Sequence, residues 1–284
     1  MTQKIAVAMI HGVGTQDKNF AAEMQHQLEQ RCQSVCATDI VIQPVFWADL
    51  LDGVEAELLS RLRQGGRMSY PWARAFLIDF VGDAFAYQIT DTDRHVYDSI
   101  HRVFALALRD LARQAGEDAP LCIIAHSLGS VIASNFIYDL QLDPTRHLIS
   151  DEVREVMGDT PLEHGQTLAL LYTMGSPLAL WSLRYHQFGM PIQVPDLHLK
   201  QRYPAICGEW VNFYDAADVI ASPIKTINNA YKAVVTEDRE VSVGNLLTSW
   251  NPLSHLFYWT DDDVLKPIAD KLIEVWKAVN PAVV

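Results

Sequence analysis

The sequence predicts an α/β protein with a mostly parallel central sheet flanked by helices. Three observations point there. Short apolar runs lack the polar alternation of half-exposed strands, as strands buried on both faces must. Amphipathic stretches with a period near 3.6 residues separate them, so strand and helix alternate along the chain. Neither an internal repeat nor a low-complexity linker divides the 284 residues, which places residues 1–284 in a single domain.

In chain order, Lys4–Ile10 is a near-continuous apolar run and reads as the first buried strand. Asn19–Cys32 reads as a helix and Ile40–Trp47 as a strand. Asp49–Thr92 departs from the alternation. It is aromatic and apolar but broken by "RQGG" and "YP", and is read as a cap or lid insertion at 49–92, against an ordinary helical insertion that completes the core. Trp72, Phe76, Phe80, Phe85 and Tyr87 hint at an apolar pocket there, although burial in the core is their commoner use. Ser99–Ala115 places Ile100, Val103, Phe104, Ala107, Leu108 and Leu111 on one helical face. Leu121–Ala125 is a buried strand and Ser130–Leu140 a helix; a polar loop spans Asp143 to Gly165. The strand Thr167–Met174 is ended by "GSP", and residues 185–207, with Pro191, Pro195 and Pro204, look irregular. Trp210–Tyr214 is a short strand. The closing helix Asp262–Val279 carries Val264, Ile268, Leu272, Val275 and Trp276 on one face.

Composition narrows the function classes. With 49% hydrophobic and 20% charged residues, the chain can bury a large core. A formal net charge of −13 opposes nucleic acid and anionic membrane as electrostatic partners. The longest apolar candidate for a membrane span, Trp72 to Ile89, is interrupted by Arg74, Asp79 and Asp83, so no integral membrane segment is expected. "MTQKIAVAMIHG" lacks the features of a secretory signal, and a cytoplasmic location is the expectation. Cys32, Cys36, Cys122 and Cys207 read as free thiols; no second Cys/His pair at metal spacing follows Cys32 and Cys36. Nothing fixes an oligomeric state.

The chemistry centres on "IIAHSLGS". A buried strand, a small-x-Ser-x-small turn and a helix form the setting in which a serine hydroxyl is held proud of a sheet edge. The tight turn needs small residues two before and two after the serine, and these are Ala125 and Gly129. The competing role for Ser127 is a helix N-cap. After the first strand, "HGVG" brings His11, Gly12, Val13 and Gly14 to the same edge, where the amides of Val13 and Leu128 are candidate oxyanion donors. A dinucleotide loop does not fit, because its third glycine would stand at position 17, which is Asp17.

A serine nucleophile needs a base, and the base an orienting acid, which follow in the order Ser, Asp/Glu, His in this kind of elbow. Of the histidines after Ser127, His147 and His164 come too early, and His186 and His198 precede the segment where the acid would sit. His255, just before the last helix, is the candidate base. Asp215 and Asp218 are both acid candidates. Asp215 could simply terminate its strand, whereas Val219 and Ile220 could anchor the turn of Asp218, which is therefore favoured. His126 reads as a packing or hydrogen-bonding residue and His11 as a support for the glycine loop.

These segments have a familiar look. "AHSLGS", "HGVG", "TMGSP", "DAADVI" and the late "SH..YW" together resemble the lipase/esterase branch of the α/β-hydrolase superfamily, nearest to lipase-like proteins grouped with GPI inositol-deacylases and class 3 lipases. The resemblance spans roughly positions 4 to 275, with Ala125 where the elbow usually has glycine. It implies Ser127 as nucleophile, His255 as base, Asp218 as its partner, and Val13 and Leu128 as amide donors. It further implies hydrolysis of a small-molecule or lipid carboxylic ester through an acyl-enzyme, with no metal or organic cofactor. Acyl transfer by the same residues, or a non-catalytic binding protein on the same fold, are the alternatives.

Overall fold

In a computed structural model the described residues are 2–13, 17–33, 35–51, 57, 60–62, 64, 81–89, 93–244, 255 and 257–282. Six strands form one sheet: β1 (Ile5–Ile10), β2 (Ile40–Val45), β3 (Leu121–His126), β4 (Leu168–Met174), β5 (Glu209–Asp215) and β6 (Glu237–Val241). Their order is β2-β1-β3-β4-β5-β6, and every pair is parallel. Parallel pairing demands crossovers, and the long helices supply the cover: α1 (Ala22–Cys32), α2 (His95–Ala115), α3 (Leu128–Arg146) and α4 (Asp262–Val279). This is the layer arrangement of an α/β-hydrolase.

Alternation along each strand divides the core in two. Ala6, Ala8, Ile10, Ile123 and Ala125 face the side covered by α2 and α3, with Phe104, Leu108, Leu111, Val131 and Phe136 packed against them. Ile5, Val7, Met9, Cys122 and Ile124 face the other side, against Met24 and Leu28 of α1 and Val264, Ile268 and Leu272 of α4. Both faces of β1 and β3 are covered, which is why β1 is apolar throughout and β3 is apolar up to its last residue, His126.

The order of strands also locates a crevice. β1 leads to β2 on one side, while β3 lies on the other, with Ile10 level with both Val45 and Ala125. Loops leaving the carboxyl ends of β1 and β3 therefore diverge, and such a switch point is where open α/β sheets bind ligands.

Several boundaries differ from those the sequence predicts. The second strand ends at Val45, because Trp47 turns into a short 3₁₀ segment at Ala48–Leu50. Helix α2 begins at His95 rather than Ser99. Helix α3 starts directly after Ser127 and continues to Arg146, absorbing Pro144 in its last turn, so the supposed loop from Asp143 begins as helix and holds a further turn at Asp151–Arg154. The edge strand β6, "EDREV", has no apolar alternation to announce it. Much of the expected insertion at 49–92 lies outside the described residues, Trp72, Phe76 and Phe80 included; of its described part, 81–86 is helical, Phe85 is exposed and Tyr87 is buried in the core. No helix among the described residues is long and apolar enough to cross a membrane.

One polar cluster is buried between α2 and α3. Tyr97 donates to Asp139 at 2.7 Å, and Tyr87 and His101 share a 2.8 Å hydrogen bond. Burial pushes the Asp139 carboxyl up to about 6 against the pull of the Tyr97 hydroxyl and Arg94, and burial holds His101 well below its ordinary value. A carboxyl raised on folding binds its proton more tightly in the native state, so its contribution falls as pH rises from about 3.8 through 6. Asp139→Asn keeps an acceptor for Tyr97 and removes the buried charge. Denaturant unfolding is expected to show a gain on the order of 2 kcal/mol at pH 8 that shrinks towards zero near pH 4.

Candidate active site

Ser127 joins β3 to α3 with φ 53° and ψ −131°, a left-handed-side backbone that non-glycine residues seldom adopt. The neighbours hold it there. Its N–H donates to the Met174 carbonyl at 2.9 Å, and its carbonyl accepts the Ser130 hydroxyl at 2.6 Å. The Ser130 oxygen lies 2.7 Å from the Ser176 hydroxyl, tying the elbow to the "GSP" turn after β4. Two glycines are required by close approach. A Cβ on Gly129 would fall 2.3 Å from the His11 carbonyl oxygen, and one on Gly12 would fall 2.4 Å from Ser127 Cβ. The "HG" loop thus passes directly against the serine.

Three side chains far apart in sequence meet here. His255 Nε2 lies 2.7 Å from Ser127 Oγ, and His255 Nδ1 lies 2.7 Å from Asp218 Oδ2. An ionised carboxylate can only accept, so the imidazole proton sits on Nδ1. Nε2 is then an acceptor, and the Ser127 hydroxyl donates to it. All three residues are buried. Burial pushes the Asp218 carboxyl up, but the hydrogen bond and charge of His255, the Ile220 N–H at 3.0 Å and the Tyr258 hydroxyl at 3.0 Å outweigh it and hold it below its ordinary value.

Asp215 is not part of this chain. Its carboxylate accepts the Ala217 N–H at 2.7 Å and the Val243 N–H at 2.8 Å, so it pins the turn carrying Asp218 to the segment after β6. His126 donates from Nε2 to the His255 carbonyl at 2.7 Å. That ring is buried, with burial first and the nearby His255 second lowering its pKa to about 3, so it stays neutral with Nε2 committed. His11 donates from Nδ1 to the Gly12 carbonyl at 2.8 Å and accepts the Trp47 N–H at 3.1 Å on Nε2. Burial lowers its pKa to about 4. It braces the glycine loop without reaching the serine hydroxyl.

Val13 is buried in the loop after β1, and Leu128 is the first residue of α3. The amide of Leu128 is among those a helix leaves without an intrahelical acceptor, at the positive end of its dipole. Cys32 and Cys36 are buried and Cys207 is exposed; among the described residues no three His, Cys, Asp or Glu side chains gather as a metal site would require. A cavity of about 690 Å³ opens at the far end of α3, lined by Asp143, Arg154, Met190 and Leu197, and none of Ser127, Asp218 and His255 lines it. Two contributors escape the sequence reading, the Ser130–Ser176 pair and Tyr258. Tyr258 stands three residues after His255, within the quoted "SH..YW".

No family model matches the sequence, and no curated protein matches it. Solved structures similar to it include the following two. The esterase domain of a Rhodothermus marinus protein is 13% identical with a TM-score of 0.37, over 98% of this chain and 88% of that one. A structure from work on LipS and LipT, two metagenome-derived lipolytic enzymes, is 9% identical with a TM-score of 0.39, over 95% and 94%.

Proposed function

We propose that the chain is a serine hydrolase of carboxylic esters, of the lipase/esterase branch of the α/β-hydrolases. The observation that carries this reading is the unbroken hydrogen-bonded chain from Ser127 Oγ through the His255 imidazole to the Asp218 carboxylate, at 2.7 Å for each link. His255 Nε2 takes the hydroxyl proton as Oγ attacks the ester carbonyl, and the imidazolium is steadied by Asp218. The amides of Val13 and Leu128 serve as donors to the oxyanion, Leu128 adding the field of the α3 terminus. His255 then protonates the departing alcohol, leaving an acyl group on Ser127. Water then attacks the acyl carbonyl, giving a proton to the same nitrogen, which passes it to Ser127 Oγ as the bond between the acyl carbon and Oγ breaks and the acid leaves.

The chemistry asks nothing of a metal or organic cofactor, and its substrate is a small-molecule or lipid ester. A panel of p-nitrophenyl esters of graded acyl length tests the proposal. Hydrolysis with a pre-steady-state burst of p-nitrophenol is expected for at least one chain length. An added alcohol that captures the acyl group in preference to water would mark an acyltransferase. No release with any ester, together with no covalent adduct, would mark a binding protein.

A further inference from the structure

Tyr258 opens a short 3₁₀ turn, Tyr258–Thr260, directly before α4. Its ring is fully buried among Met174, Phe213, Val264 and Leu265, on the face of the sheet covered by α1 and α4. The ring also stands beside His126 and His255, with centroids 5.8 and 6.5 Å away, and its hydroxyl makes two hydrogen bonds. The Asp215 N–H lies 2.8 Å from the phenol oxygen, and Asp218 Oδ2 lies 3.0 Å from it. The direction of both bonds follows from chemistry. A backbone N–H can only donate, so the phenol oxygen accepts from Asp215, and its own proton is left for the carboxylate. Asp218 Oδ2 is the oxygen that also accepts His255 Nδ1–H.

Resting on the triad reading above, we propose that Tyr258 is a positioning residue for the Asp218–His255 pair. Its O–H, fixed by the Asp215 amide and the core around the ring, holds Oδ2 in line with His255 Nδ1. Ile220 N–H holds the other carboxylate oxygen at 3.0 Å, so both oxygens are pinned and the carboxylate cannot rotate away. The phenol also draws off part of the negative charge at Oδ2. That keeps Asp218 a hydrogen-bond acceptor rather than a proton acceptor when the imidazolium forms.

Tyr258→Phe removes the hydroxyl and keeps the ring. With p-nitrophenyl esters, kcat is expected to fall about tenfold with KM nearly unchanged, the scale of one hydrogen bond to a charged group. The acid limb of kcat/KM is expected to move to higher pH, because a carboxylate with one donor fewer holds the protonated imidazole more strongly. In an Asp218→Asn background the same substitution should cause no further loss. A merely structural role would lower the yield of folded enzyme without moving the pH profile. Unchanged kcat and profile in Tyr258→Phe, or a further tenfold loss on top of Asp218→Asn, overturns the proposal. Should Tyr258→Phe fail to fold, proton NMR of the wild type decides: a slowly exchanging Tyr258 hydroxyl proton with a cross-peak to the Asp215 amide proton is expected, and its absence overturns it. Ser127→Ala, run alongside, separates the two failures. If that variant still hydrolyses esters, the triad reading falls and this inference with it; if it is inactive while Tyr258→Phe matches wild type, this inference alone falls.

Discussion

Ser127→Ala is expected to lower kcat for p-nitrophenyl ester hydrolysis by on the order of 10⁴-fold or more. In the proposed mechanism the substitution takes away the oxygen that would form the acyl bond and leaves the groups around it in place. His255 still bonds to Asp218, Gly12 still passes against the Cβ of residue 127, and the Ser130 hydroxyl still meets the carbonyl of the turn. The residual rate would come from substrate binding and the amide donors alone. Because the side chain lost is one small buried hydroxyl, far-UV circular dichroism should match wild type. A variant that keeps its fold and loses only turnover separates nucleophile from helix cap: Ser127 has no side-chain capping bond, so no cap is lost.

The second large effect belongs to Asp218→Asn, expected to cost about 10³- to 10⁴-fold in kcat through the imidazole tautomer. Three donors converge on this carboxylate: His255 Nδ1–H and Tyr258 O–H on Oδ2, and Ile220 N–H on Oδ1. An amide has one acceptor and one donor end, so it cannot satisfy all three. With its NH₂ towards His255, the imidazole proton moves to Nε2 and points at the serine that must give one up. With its NH₂ towards Ile220, two donors oppose each other and the side chain is driven from its place. Asp215→Asn makes the contrast. Among the described residues its two oxygens accept the Ala217 and Val243 amides, so the expected loss is about 1–2 kcal/mol in unfolding free energy, with kcat changed far less than in Asp218→Asn. Parallel assays of the two variants read both outcomes.

The sheet was legible where strands are buried on both faces, since β1, β3 and β4 are near-continuous apolar runs. Helix α4 was legible for a related reason, its one buried stripe repeating at helical spacing. β6 was not, because an edge strand with Glu237, Asp238, Arg239 and Glu240 owes its pairing to β5 rather than to any pattern of its own. The end of α3 was missed because its buried residues stop at Leu140, while the helix runs on to Arg146 with no apolar stripe to mark it. At the site, Ser127 and the glycines around it announce themselves, as a turn this tight admits few residues. Asp218 was favoured over Asp215 from the sequence for a reason the structure does not support: Val219, expected to anchor the turn, is 70% exposed, and the turn is held instead by the Asp215 carboxylate on the Ala217 and Val243 amides. Tyr258 was invisible as a contributor, because a buried tyrosine before a helix looks like packing until its hydroxyl is located.

In the proposed mechanism His255 and Asp218 make the Ser127 oxygen reactive. The most direct measurement is covalent modification of the intact protein by a fluorophosphonate, with the adduct mapped by peptide mass spectrometry. One phosphonyl group is expected on Ser127, formed quickly in wild type and at least about 10²-fold more slowly in His255→Ala, general-base assistance being on that scale. An unmodified Ser127, or labelling that proceeds at the same rate without the imidazole, would contradict it.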